Sequence, residues 1–243
     1  MTVRVLILGG GSAASDADAT PIWLAESNGE ILIERFVHAC AGLNAKIVFA
    51  VRAPDIRRFR IDSVIGLAAP GSAVVPVAGE TQGAACTALL CVPHIDTEGE
   101  LLILNSNEFL DIDYKAAVEG FRRQNFDAAV VTFHSIHPRY SYVALDDDGL
   151  IVEAAEKHPI SRHATAGFYW FRRGGDFVDG AQSMIRKDTQ VDGKFFISLV
   201  FNELVLQQKR MGVLPVDSRH YHPLKSRRQV SIYEADIHTE NAA

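Results

Sequence analysis

Three consecutive glycines, Gly9, Gly10 and Gly11, followed by Ser12, close an apolar run that begins at Val3. Glycine carries no side chain, so the backbone N–H groups of such a loop stand bare and a phosphate can approach them closely. A tight turn after a buried strand would use the same residues, and this stretch alone leaves both readings open. Gly9, Gly11 and Ala14 also match the spacing of a dinucleotide fingerprint. That fingerprint requires a helix to open at once, because the pyrophosphate sits on the helix N-terminus. Here the chain runs on to Pro21, hostile to a helix interior, and the next helical pattern starts only near Glu30. Nicotinamide-dinucleotide binding is therefore set aside. A loop of roughly twenty residues in a compact domain points to function of another kind.

Val3, Val5, Leu6, Ile7 and Leu8 must position that loop. A short, β-branched apolar run with a glycine stop reads as a strand buried on both faces, in the middle of a parallel sheet. Further strands are expected at Lys46–Val51, Ser72–Val77, Leu101–Asn105, Ala128–Phe133, Tyr142–Leu145, Ile151–Ala155, Ala164–Phe171 and Gly212–Val216. Helical patterns fall near Glu30–Ala41, Thr87–Cys91, Tyr114–Asn125, Phe177–Lys187 and Ile197–Gln208. Early alternation of strand and helix predicts an open α/β sheet with ligands at the carboxyl ends of its strands. The Asp146–Gly149 turn between two apolar alternations predicts a hairpin in the second half.

The 243 residues suffice for one large domain, and no internal repeat or low-complexity linker divides them. With a net charge of −6, bulk attraction to nucleic acid or to an anionic membrane is not expected, so a phosphorylated ligand needs a local pocket. Cys40, Cys86 and Cys91 sit in apolar contexts without metal-ligand spacing and read as reduced thiols. No stretch approaches the ~18 apolar residues of a membrane span, and the opening lacks a signal-peptide layout. A cytoplasmic protein is expected.

Five stretches, in order, resemble motifs of the sugar-1-phosphate nucleotidyltransferases. Leu8-Gly-Gly-Gly-Ser12 with Pro21-Ile-Trp-Leu24 resembles the glycine loop and Pro-Lys-x-Leu segment. The run from Glu80 to Leu90 is similar to the base-recognising Q/K-G-A-x-x-T-A-L stretch, and Leu101 to Leu110 to the strand ending in a metal-binding aspartate. Glu153 to Phe171 resembles E-K-x-x-x-S-x-x-A-x-x-G-x-Y-x-F most strongly, and Gly193 to Leu204 resembles the G-x-F/Y-Y…N-E-L helix. Short members from capsule or surface-polysaccharide loci are the most similar. The resemblance implies a Rossmann-like, mixed and mostly parallel sheet flanked by helices, in a single domain over 1–243. Residues 1–135 would form its nucleotide-binding half and 136–243 its acceptor-binding half. The implied reaction couples an NTP to a phosphorylated sugar or sugar-like acceptor and releases pyrophosphate, with Mg²⁺ or Mn²⁺ as cofactor. Homo-oligomers are common in that family, and the aromatic-rich second half could supply an interface.

Carried over residue by residue, Gly9, Gly10, Gly11 and Ser12 would cradle the nucleotide's phosphates. Gln82 and Gly83 would read the base, since an amide both donates and accepts and glycine allows close approach. The same pair could simply form a strand-to-helix junction, with Thr81 or Thr87 near the cap. Glu156, Lys157 and Gly167 would hold the acceptor, Lys157 as the catalytic cation on its phosphate. Gly167 interrupts a bulky β pattern, as expected where a ligand or backbone comes close. Asn107 and His222 would stand near the two metal positions, although Asn107 is neutral and His222 replaces an aspartate. The chain also departs from the pattern at Ala13, Ala14 and Ser15, where an arginine is expected, and at Ile22, where a lysine is expected. Those losses keep a second reading in view: a non-catalytic relative that binds a nucleotide or nucleotide sugar and acts as a partner or regulatory subunit.

Overall fold

β1 (Val3–Gly9) lies in the interior of the main sheet, between two parallel neighbours. Val5 and Ile7 enter one core and Leu6 and Leu8 the other, so both faces of the strand are covered. The structure is a computed structural model that describes residues 2–9, 20–27 and 29–240. Gly10, Gly11 and Ser12 lie outside the described residues.

The antiparallel pair β2 (Glu26–Ser27) and β3 (Glu30–Ile31) leads into α1 (Leu32–Cys40). β4 (Ala45–Arg52) then runs parallel to β1, and α2 (Ala53–Phe59) and α3 (Ile61–Ala68) connect it to β5 (Ala73–Val77). α4 (Ala84–Leu89) and α5 (Val92–Ile95) precede β6 (Leu101–Asn105), parallel to β1 on its other side. There follow β7 (Glu108–Leu110), α6 (Tyr114–Arg123), β8 (Ala128–His134), β9 (Ser141–Leu145), β10 (Ile151–Glu156) and β11 (His163–Phe171). The chain ends with α7 (Gly174–Arg186), α8 (Ile197–Leu206), β12 (Met211–Val216), β13 (Tyr221–Pro223) and α9 (Arg227–Glu240).

Nine strands form one mixed sheet in the order β10-β9-β11-β6-β1-β4-β5, with β8 beside β11 and β12 beside β8. It is parallel through β6-β1-β4-β5 and antiparallel around β11. β9 and β10 form the expected hairpin, closed by the Asp146 carboxylate accepting from Leu150 N–H at 2.8 Å. One face is covered by α1, α3 and α6, and the other by α4, α5, α7 and α8. The fold is thus the mixed sheet flanked by helices that the motifs imply. Among the described residues, no helix is long and apolar enough to cross a membrane.

Candidate active site

A cavity of about 870 Å³ opens where the parallel strands end. Leu8 and Gly9 of β1, Arg52 of β4 and Asn105 of β6 line one side, the carboxyl-end position where open α/β sheets take ligands. The opposite side is built from the second half of the chain: Ser141 of β9, Glu156 of β10, Thr165 and Tyr169 of β11, and Ser198 of α8. Lys225, Ser226 and Arg227, at the start of α9, complete the lining.

Gly9 is required by its neighbour as well as by any ligand. A Cβ there would stand 2.2 Å from Cη2 of Trp23, whose indole is buried against the end of β1. Gly83 also lines the cavity, at φ +108°, and a Cβ would stand 2.4 Å from the carbonyl oxygen of Phe195. Its own carbonyl accepts from the hydroxyls of Thr81 and Thr87, both at 3.2 Å, so a strand-to-helix junction is indeed built here. Gln82 is exposed and does not line the cavity; its carbonyl accepts from Phe195 N–H at 2.7 Å.

Glu156 is 8% exposed and accepts hydrogen bonds from the hydroxyls of Ser141 and, at 3.2 Å, Ser198. Burial raises its pKa above the ordinary carboxylate value; the two hydroxyls and Lys157 pull it down, and Glu108 adds a further upward push. Glu108 lines the same cavity, with Oε1 accepting from the Asn105 amide at 2.6 Å and Oε2 from the Tyr221 hydroxyl at 2.7 Å. Burial and Glu108 hold the Tyr221 phenol far above its usual pKa, so it stays the donor. Gly167 does not line the cavity. It sits at φ +69°, where the pairing of β11 with β8 shifts register, and a Cβ would stand 2.1 Å from Glu108 Oε1. The close approach expected at this glycine is made by the Glu108 carboxylate.

Lys157 follows Glu156 but turns away from the cavity lining, in a left-handed backbone conformation at φ +56°. Its ammonium donates to Asp192 at 2.7 Å and stands 5.8 Å from the ring centre of Phe196, which does line the cavity. The hydrogen bond raises the lysine's pKa and lowers that of Asp192.

Asn107 is exposed on the cavity wall, and its carbonyl accepts from Leu224 N–H at 2.7 Å. His222, in β13, packs its ring 4.5 Å from that of Tyr233 and does not line the cavity. A neutral amide and a histidine on different surroundings are a poor donor set for a hard divalent cation. Among the described residues, no three His, Cys, Asp or Glu side chains cluster as metal ligands. Asn107 and His222 therefore do not fit the implied Mg²⁺ or Mn²⁺.

Sequence reading missed the cations. Arg52, Arg139, Lys194, Lys225 and Arg227 all line the cavity, while Ile22, at the position of the missing lysine, lines it as an apolar residue. Arg52 was findable, because it ends a parallel strand beside β1. The other four lie in segments that only the fold brings together.

No protein-family model matches the sequence, and no curated protein matches it. The fold itself is one found among sugar nucleotidyltransferases. The chain resembles the structure of a nucleoside-diphosphate-sugar pyrophosphorylase from Vibrio cholerae RC9, with TM-score 0.77 and 18% identity, covering 96% of this chain and 99% of that one. It also resembles a structure from Bacillus anthracis, described as a glucose-1-phosphate thymidylyltransferase in complex with sucrose, with TM-score 0.75 and 18% identity, covering 96% and 94%. At that identity the likeness is one of fold.

Proposed function

We propose that this cavity joins an NTP to a phosphorylated sugar or sugar-like acceptor. An oxygen of the acceptor's phosphate attacks the α-phosphorus, the bond from that phosphorus to the α–β bridging oxygen breaks, and pyrophosphate leaves with the electron pair. Such a transfer needs positioning and charge neutralisation more than covalent catalysis. The observation that carries the reading is the cavity's composition: the carboxyl ends of the parallel strands, four carboxylates (Asp55, Glu80, Glu108 and Glu156) and five cationic side chains. Those cations would offset the triphosphate's charge in place of the family's loop arginine and lysine.

In this reading residues 1–135 hold the nucleotide, with Gly9, Gly10, Gly11 and Ser12 on its phosphates and Gln82 and Gly83 near its base. Residues 136–243 hold the acceptor through Glu156 and Lys157, with Gly167 leaving room for Glu108. The motif resemblance supports a product used as an activated precursor of surface polysaccharide, made in the cytoplasm by a homo-oligomer.

Incubation with each NTP, Mg²⁺ and a panel of sugar 1-phosphates, following pyrophosphate release, tests the transfer. Release with one combination is the expected result. Nucleotide binding by calorimetry without release from any combination would point to a binding subunit instead, the alternative that Ile22 on the cavity wall favours.

A further inference from the structure

Glu108 and Glu156 share one cavity, and among the described residues neither forms an ion pair. Every hydrogen-bond partner of the two carboxylates is neutral: Asn105 and Tyr221 for Glu108, Ser141 and Ser198 for Glu156. Three of the cations around the cavity have other partners, Arg139 donating to the Tyr140 hydroxyl. Arg52 stands 3.7 Å from Asp55, and Lys157, the residue after Glu156, pairs with Asp192.

Carboxylates without an ion pair in a partly dry wall are costly, and a fold keeps them where a ligand supplies the missing charge. The strand beside them is shaped to their presence. β11 breaks its register and adopts a positive φ at Gly167, the residue whose Cβ would collide with Glu108 Oε1. Glu156 in turn is more than nine-tenths buried, yet it is one of the residues that line the cavity. Arg139, Lys194, Lys225 and Arg227 bring the opposite sign to the same lining, Arg139 close enough to act on the Tyr221 phenol.

We propose that the acceptor carries a protonated amine as well as its phosphate, the amine seated against Glu108 and Glu156 and the phosphate against the cationic part of the lining. The inference rests on the transfer reading above and deepens it. An ammonium brings a full positive charge and up to three donors, which the free lone pairs of two carboxylates can accept. A hydroxyl in its place leaves the charge uncompensated. Amino-sugar phosphates and amino-alcohol phosphates share the required chemistry.

The test is calorimetry on matched pairs: glucosamine 1-phosphate against glucose 1-phosphate, galactosamine 1-phosphate against galactose 1-phosphate, and ethanolamine phosphate against ethylene glycol phosphate. Each titration is run with α,β-methylene analogues of the NTPs, whose bridge cannot be cleaved. At least about tenfold tighter binding of an amine member is expected, as for a hydrogen bond to a charged group. Glu108→Gln should reduce that within-pair preference to about twofold. Glu156→Gln should narrow the same within-pair preference, whatever it does to the neutral member, should the first variant fail to fold. Equal binding within every pair overturns the amine proposal and leaves the transfer reading standing. Binding of no phosphate with any nucleotide analogue overturns the transfer reading and this proposal with it. Mn²⁺ binding without phosphate that Glu108→Gln abolishes also overturns it, assigning the carboxylate to a cation.

Discussion

Glu156 couples the site to the stability of the fold. Burial raises its folded pKa above the value it has in the unfolded chain, so between those two values the native state holds a proton that the unfolded state has released. Stability therefore falls as pH rises from the ordinary glutamate pKa through the folded one, and the deficit persists above it. Glu156→Gln, which carries no charge, should be more stable than the native chain at pH 8 and lose that advantage by pH 4. Each tenfold difference in proton affinity between the folded and unfolded states makes that gain larger by about 1.4 kcal/mol. Urea unfolding at pH 4, 6 and 8 checks this, and a gain that does not grow with pH contradicts it. Lys157 behaves differently because its pair with Asp192 is exposed, with side-chain exposures of 44% and 68%. Such a pair adds little stability, so Lys157→Ala should leave the melting temperature nearly unchanged. If Lys157 releases Asp192 to hold the acceptor, that variant weakens acceptor binding about tenfold and NTP binding less than about twofold. Equal losses in two calorimetric titrations would remove Lys157 from the acceptor.

At the scale of elements, α8 holds the end of β10 where the carboxylate needs it. β10 is an edge strand, whose outward backbone groups would otherwise be unpaired. The Asn202 amide answers both groups of Ala154: Oδ1 accepts from its N–H and Nδ2 donates to its carbonyl, each at 2.8 Å. Ser198, one turn earlier on the same helix face, bonds Glu156. Asn202→Ala should cost about 2 kcal/mol, two hydrogen bonds' worth, and should speed hydrogen exchange at Ala154 more than in β1. Unchanged exchange at Ala154 would show that the edge holds without the asparagine. The apolar run of ten residues marked α8 itself; the strand it clamps lies 48 positions away and leaves no mark in a local pattern. The same limit hid β7 and β13, three residues each, which pair with one another across the chain. α9 escaped for another reason: its exposed run of Arg227 and Arg228 reads as loop composition until Val230 and Tyr233 are seen buried.

For the molecule as a whole, one sheet separates two cores, and the site lies at its edge because the strands of both end there. Of the residues picked from sequence, Gly9, Gly83, Asn107 and Glu156 meet in the cavity, because each follows or ends a strand whose carboxyl end is legible in the apolar pattern. Gln82, Lys157, Gly167 and His222 are its neighbours in sequence but do not line it, since side-chain direction at a turn or bulge depends on backbone angles that composition does not reveal. The two thiols with the deepest burial sample the two cores separately: Cys40 belongs to one and Cys91 to the other. Burial pushes the pKa of each up to about 12, so almost no thiolate exists at pH 8. Modification by a disulfide reagent then requires the core to open. Because β1, β4, β6, β8 and β11 contribute residues to both cores, neither face can be lost while the sheet stays intact. Cys40 and Cys91 should therefore be labelled at the same slow rate, with the same dependence on urea, while the less buried Cys86 reacts ahead of both. Peptide mapping of the labelled protein by mass spectrometry reads all three rates without any substitution. Labelling of Cys40 well before Cys91, or the reverse, would mean that one layer of helices peels from the sheet as a separate unit, and the cavity's two walls would then differ in stability as well as in charge.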